Sequence, residues 1–220
     1  MKTFNLPSKI PSHIKGFIFD IDSTLYTSPK YAFEKVDCQI REFAKLRGIS
    51  ADEARKMVAD YRKKFAEEHN GSKVSLGNTL LSFGIPIEQS IEWRKTLLAP
   101  QNFLEKDNKL IAELKTLAQK YKLICVTNNP VLPARKTLLA LGVSDFFENI
   151  VGLDTCKKSK PAKEPFIYAL KLLGLQPEEC VAVGDRFDLD IALPLEMGMA
   201  GILVNGVEEV YQISKLCDII

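Results

Sequence analysis

The chain has 220 residues, 46% of them hydrophobic, which supplies a core without disulfides and fits one large domain or two small ones. Lys and Arg total 30 against 28 Asp and Glu, so a net charge of +2 gives no general field for a polyanion, and nucleic acid is not an expected partner. The five cysteines, at 38, 125, 156, 180 and 217, lack the close spacing of a metal knuckle or redox pair, and no apolar run approaches the ~20 residues of a membrane span. A cytoplasmic protein with reduced thiols and no membrane partner is the expectation.

In chain order, the first strand is expected from Ile14 to Phe19, ahead of the acids in "FIFDIDSTL". A helical stretch then interrupts the pattern. One helix is expected to start at Ser28-Pro29, with proline at the first helical position, and to bury Phe33, Val36, Ile40 and Phe43 before Gly48 ends it. The next starts at "SADE", where Ser50 and Glu53 have capping-box spacing, and carries Ala54, Met57, Val58, Tyr61 and Phe65 on its apolar stripe. Two shorter helices are expected near 74 to 83 and 87 to 98, with Tyr61, Phe65, Phe83 and Trp93 packing a core of their own.

Beyond residue 100 strand and helix alternate. "KLICVT" at 122 to 127, "NIVGL" near 150, "CVAVGD" at 180 to 185 and "AGILVN" from Ala200 read as strands, separated by stretches of helical spacing. The fold class is therefore α/β: a Rossmann-like, open, mostly parallel sheet sandwiched by helices. Residues 1–27 and 100–220 would form this core, and residues 28–99 an inserted helical domain with a cleft between the two.

Asp20 falls where the first strand ends, the edge at which open α/β sheets place ligands, and Asp22 lies just beyond in the turn. Taken alone, such acids are ordinary turn formers. "VAVGDRFDLD" sets Asp185, Asp188 and Asp190 at another strand end, where each would otherwise serve as a helix cap. Carboxylates gathered at one place repel unless a proton or a cation intervenes. Magnesium favours such oxygen ligands, and His13 and His69 are the chain's only imidazoles, so Mg2+ is the expected ion. "VTNN" adds Thr127 and Asn128, which by themselves read as caps, and "SKPAKEPF" adds Lys160, which by itself reads as one of a solvated run. A hydroxyl, an amide and an ammonium suit phosphoryl oxygens. Asn129 reads as a cap, and the two histidines as structural or surface residues.

Together, "DIDST", "VTNN", Lys160 and "GDRFDLD" resemble the signature set of the haloacid dehalogenase-like phosphohydrolases, in the same order. The resemblance implies Asp20 as nucleophile, Asp22 as general acid/base, Thr127 as phosphate-binding hydroxyl with Asn128 beside it, and Lys160 as stabilising cation. It further implies Asp20, the Asp22 carbonyl, Asp185 and Asp190 around magnesium, with a weaker claim for Asp188, and a helical cap inserted after the first acidic motif. "DIDSTLY" with the charged helices through "ADYRKKF" resembles the branch containing pyrimidine 5'-nucleotidases. The implied activity is hydrolysis of small phosphorylated metabolites, nucleotides or sugar phosphates. A phosphosugar mutase and a catalytically silent binding module are the alternatives.

Overall fold

The computed structural model describes residues 1–71 and 74–217. One compact unit combines Met1–Ser28 with the chain from Pro100 onward, and the other is Pro29–Ala99.

The first unit is built on a six-stranded sheet: β1 (Lys2–Phe4), β2 (Gly16–Phe19), β3 (Lys122–Val126), β4 (Ile150–Val151), β5 (Cys180–Gly184) and β6 (Ala200–Leu203), in the order β1-β6-β5-β2-β3-β4. Only β1 is antiparallel, pairing with β6 at one edge. The strands are short and apolar because the central ones are covered on both faces, with every residue of β2 and β5 buried. The sheet is Rossmann-like, as the alternation of elements predicts. β1 was not expected: three residues at an edge carry too little periodicity to stand out.

In the second unit, helices α1 (Pro29–Arg47), α2 (Ala51–Glu68), α3 (Leu76–Ser82) and α4 (Ile87–Leu97) follow one another. Ser50 caps α2 through the expected reciprocal box with Glu53. Gly48, at φ 64°, ends α1 in the left-handed conformation that glycine adopts at least cost. The core gathers Ile40, Phe43, Ala54, Val58, Leu80 and Trp93, and Phe83 stacks on Phe43 at 5.4 Å. Two stripe residues depart from expectation: Phe33 is 61% exposed and Met57 40% exposed. The buried face of α1 is set by Ile40 and Phe43, and Phe33 stands off it.

Asp37 is the buried polar anchor of this unit, taking Arg41 and both Arg55 Nε (2.7 Å) and Nη2 (3.0 Å). The two guanidiniums hold its carboxyl below the usual range, the bond from Arg55 outweighing the burial that opposes it. Asp37→Ala is expected to cost about 2 kcal/mol, on the low side for a buried pair because both arginines remain part-hydrated. Hydrogen exchange should show the loss in the amides of α1 and α2 and spare those of the sheet.

Returning to the first unit, its helices are α5 (Asn108–Ala118), α6 (Val131–Leu141), α7 (Leu153–Cys156) and α8 (Lys163–Leu173), followed by shorter turns. Ile18, Ile124, Val126 and Val151 pack one sheet face against Phe166, Ala169 and Leu170 of α8. Phe17 and Phe19 point the other way and meet Tyr121 (5.0 Å) and Phe147 (6.0 Å) edge-on. Among the described residues no helix is long and apolar enough to cross a membrane.

Candidate active site

β2 lies between β3 and β5, with Phe19 level with Cys125 on one side and Val183 on the other. The next residues of all three strands therefore emerge together at the carboxyl edge, where the connections part to opposite sides of the sheet. Asp20 follows β2, with its amide donating to Val183 O at 2.8 Å. Thr127 follows β3, and Asp185 follows β5.

Lys160 arrives from the connection between β4 and β5, ahead of α8, and is 5% exposed. Its Nζ donates to Asp20 Oδ1 and to Asp190 Oδ1, each at 2.6 Å. Burial alone would lower the pKa of this ammonium, but the two carboxylates outweigh it and raise the value. Asp190 is delivered by a π-helical turn over Phe187–Ile191, and its Oδ2 accepts from Arg186 N at 3.0 Å. Gly184 makes room for it: a Cβ there would lie 2.3 Å from Asp190 Cβ and 2.5 Å from Cγ. Gly184→Ala is therefore expected to displace Asp190 and weaken binding of a divalent cation by about tenfold or more, read by calorimetric titration.

One oxygen from each of Asp20, Asp185 and Asp190 lies within 4.8 Å of the others. Burial, ahead of every other influence, pushes Asp20 up to about 7 and Asp185 up to about 6. Asp190 adds to both shifts. Three carboxylates facing one ammonium are short of positive charge, and the hard oxygen donors fit magnesium.

Thr24 Oγ1 donates to Asp20 Oδ2 at 3.3 Å. Asp22 lies beyond the strand with a different set of partners: Tyr26 Oη donates to its Oδ1 and Asn129 Nδ2 to its Oδ2, both at 2.5 Å. A cavity of about 230 Å³ is lined by Asp20, Asp22, Asn128, Lys160, Asp185 and Asp190 among others.

A family model described as haloacid dehalogenase-like hydrolase matches residues 14–198. The chain belongs to that family. It is similar to the glyceraldehyde 3-phosphate phosphatase of Methanocaldococcus jannaschii, 31% identical over 84% of this chain and 82% of that protein. The corresponding phosphatase of Methanopyrus kandleri is 29% identical over 87% and 84%. Among solved structures, a HAD phosphatase from Thermococcus onnurineus superposes with a TM-score of 0.63 at 22% identity, covering 92% of this chain and 97% of that one, which speaks to the fold.

The expected residues of this haloacid dehalogenase-like chain do not all face the cavity alike. Asp20, Asp22, Lys160, Asp185 and Asp190 converge on it. Thr127 is buried at the end of β3 and is not among the lining residues, its Oγ1 accepting from Asn129 N at 3.2 Å. Asn128 reaches the cavity wall, yet its carboxamide spans the Lys160 peptide: Lys160 N donates to Oδ1 at 2.7 Å and Nδ2 donates to Lys160 O at 3.2 Å. It holds the Lys160 peptide in place, a task that sequence alone did not indicate. Asp188 stands away from the carboxylate cluster and pairs with Arg186 Nη2 at 2.8 Å on the exposed side. Asn129 is no cap, since Pro130 occupies that position of α6; its side chain goes to Asp22 instead. Tyr26 was missed altogether. The only signal available was its spacing of four residues from Asp22, which does not by itself identify a contact.

Proposed function

We propose that this protein hydrolyses phosphate monoesters of small metabolites through an aspartyl-phosphate on Asp20. The observation that carries the reading is the buried Lys160 ammonium 2.6 Å from both Asp20 and Asp190, beside Asp185, at the sheet's carboxyl edge. Asp20 attacks phosphorus and the bond from phosphorus to the ester oxygen breaks, while Asp22 gives that oxygen its proton. Water then attacks the phosphoryl group, the bond to Asp20 breaks, and Asp22 takes up the proton. Lys160 balances charge on the phosphoryl oxygens and keeps Asp20 ionised. Thr127 and the Asn128 loop border the phosphoryl position.

Asp20, Asp185 and Asp190, with the Asp22 carbonyl, would hold Mg2+. Bound there, the ion supplies charge compensation between the nucleophile and the incoming phosphate. Burial pushes Asp20 up to about 7 and Asp185 up to about 6 from the ordinary carboxyl value of 3.8, so the metal-free fold binds protons that the unfolded chain has released. That contribution to stability is present below pH 3.8 and is lost as pH rises through about 6 to 7. The thermal midpoint in chelator should therefore fall as pH rises through this window, and the gain from added magnesium should widen over the same window. A magnesium gain independent of pH would contradict the assignment of these ligands.

The similarity to glyceraldehyde 3-phosphate phosphatases supports three-carbon sugar phosphates as the first esters to assay, with larger sugar phosphates and nucleoside monophosphates beside them. Purified protein with magnesium should release inorganic phosphate from at least one class. Interconversion of phosphate isomers with little free phosphate would replace hydrolysis by mutase chemistry.

A further inference from the structure

We propose that Tyr26 and Asn129 are positioning residues that clamp the Asp22 carboxyl and fix its attitude toward the leaving oxygen, an inference that rests on the phosphatase reading above. A side chain in the turn after a strand has no neighbouring ladder to restrain it, and Asp22 is restrained by these two groups instead. Tyr26 Oη donates to Oδ1 and Asn129 Nδ2 to Oδ2, each at 2.5 Å, so each oxygen has its own donor.

Both jaws are themselves anchored. The Tyr26 residue is 4% exposed, and its backbone returns to Asp22 through an isolated bridge. Asn129 comes from 107 positions away in sequence and is tied by three contacts. Its amide donates to Thr127 Oγ1 at 3.2 Å, its carbonyl accepts from Leu153 N at 2.9 Å, and Gly152 lies so close that a Cβ there would approach the same carbonyl to 2.7 Å. The jaws thus belong to two separate connections of the sheet and both reach Asp22.

A carboxylate oxygen can accept more than one hydrogen bond. The two clamp bonds therefore orient Asp22 without by themselves blocking proton exchange with a leaving group or water. Orientation is where the effect should lie, because a reacting group misplaced by about 1 Å loses on the order of 10²-fold in rate.

Leaving-group dependence separates this role from simple support of the loop. An alkyl phosphate needs its departing oxygen protonated, whereas p-nitrophenyl phosphate releases a phenolate that does not. The second-order constant kcat/KM covers events up to formation of the phosphoenzyme and leaves out the later attack by water. Tyr26→Phe keeps the ring and its packing, so a thermal midpoint close to that of the parent is the check on folding.

For Tyr26→Phe and for Asn129→Ala, kcat/KM on glycerol phosphate or a triose phosphate is expected to fall about 10- to 100-fold. The loss on p-nitrophenyl phosphate should be at least about fivefold smaller. Equal losses on both esters would overturn the clamp and leave the phosphatase reading intact. A parent protein with no turnover that depends on Asp20 would overturn that reading, and the clamp with it.

Discussion

Replacing Asp20 by Asn should lower phosphate release by at least about 10⁴-fold while leaving the protein more stable than its parent. The amide preserves shape but cannot attack phosphorus, so the loss falls on the chemical step. Stability moves the other way because Asp20 is 8% exposed and burial drives its carboxyl up to about 7. A neutral group at this position removes that desolvation, and Lys160 retains Asp190 as its partner. An increase of about 2–4 °C in thermal midpoint for each kcal/mol relieved is the scale to expect. An inactive Asp20→Asn protein that unfolds at lower temperature would show that the buried pair is a net stabiliser and that the site stores no such cost.

Lys160→Met is the second large effect, and it has two separable parts. Removing the ammonium leaves Asp20 and Asp190 buried without the cation that each meets at 2.6 Å. Breaking such a pair costs about 3–5 kcal/mol. Because the orphaned Asp20 carboxyl, already pushed up to about 7 by burial, can relieve the cost by taking up a proton, the loss should be greater at pH 8 than at pH 5. Magnesium should restore part of the stability, since it brings positive charge to the same oxygens. It should not restore turnover, expected to fall about 10²- to 10³-fold with the loss of a preorganised donor. Denaturation curves at the two pH values, each with magnesium and with chelator, separate the effects. Turnover recovered by magnesium alone would mean that Lys160 acts only as a structural counterion.

What the sequence reveals here follows from the range of the interactions involved. A strand buried on both faces is a local run of apolar residues, so β2, β3 and β5 and the acids at their ends are visible as short words. The helical unit is equally legible because Ser50, Glu53, Gly48 and the Ile40 and Phe43 spacing each encode a local preference. Phe33 shows the limit of that logic: its spacing matches the stripe, yet its actual neighbours leave it exposed. The support around the acids is less visible. Asn128 acts on a peptide 32 residues away, and Asn129 on a carboxyl 107 residues away, contacts created by the sheet order and by no nearby pattern. Asp188 and Asp190 look alike in "GDRFDLD", and only the π-helical turn decides that Asp190 faces inward while Asp188 faces Arg186.

The haloacid dehalogenase-like framework thus brings Asp20, the proposed nucleophile, together with the Lys160 ammonium and the Asp185 and Asp190 carboxylates at one sheet edge, and each has an independent consequence. The most direct test is to identify the phosphorylated residue. Enzyme mixed with a labelled substrate and magnesium, quenched in acid within one turnover and digested, should yield a single labelled peptide carrying one phosphoryl group on Asp20. Phosphate release with no label on Asp20, or with label on another residue, would contradict the account.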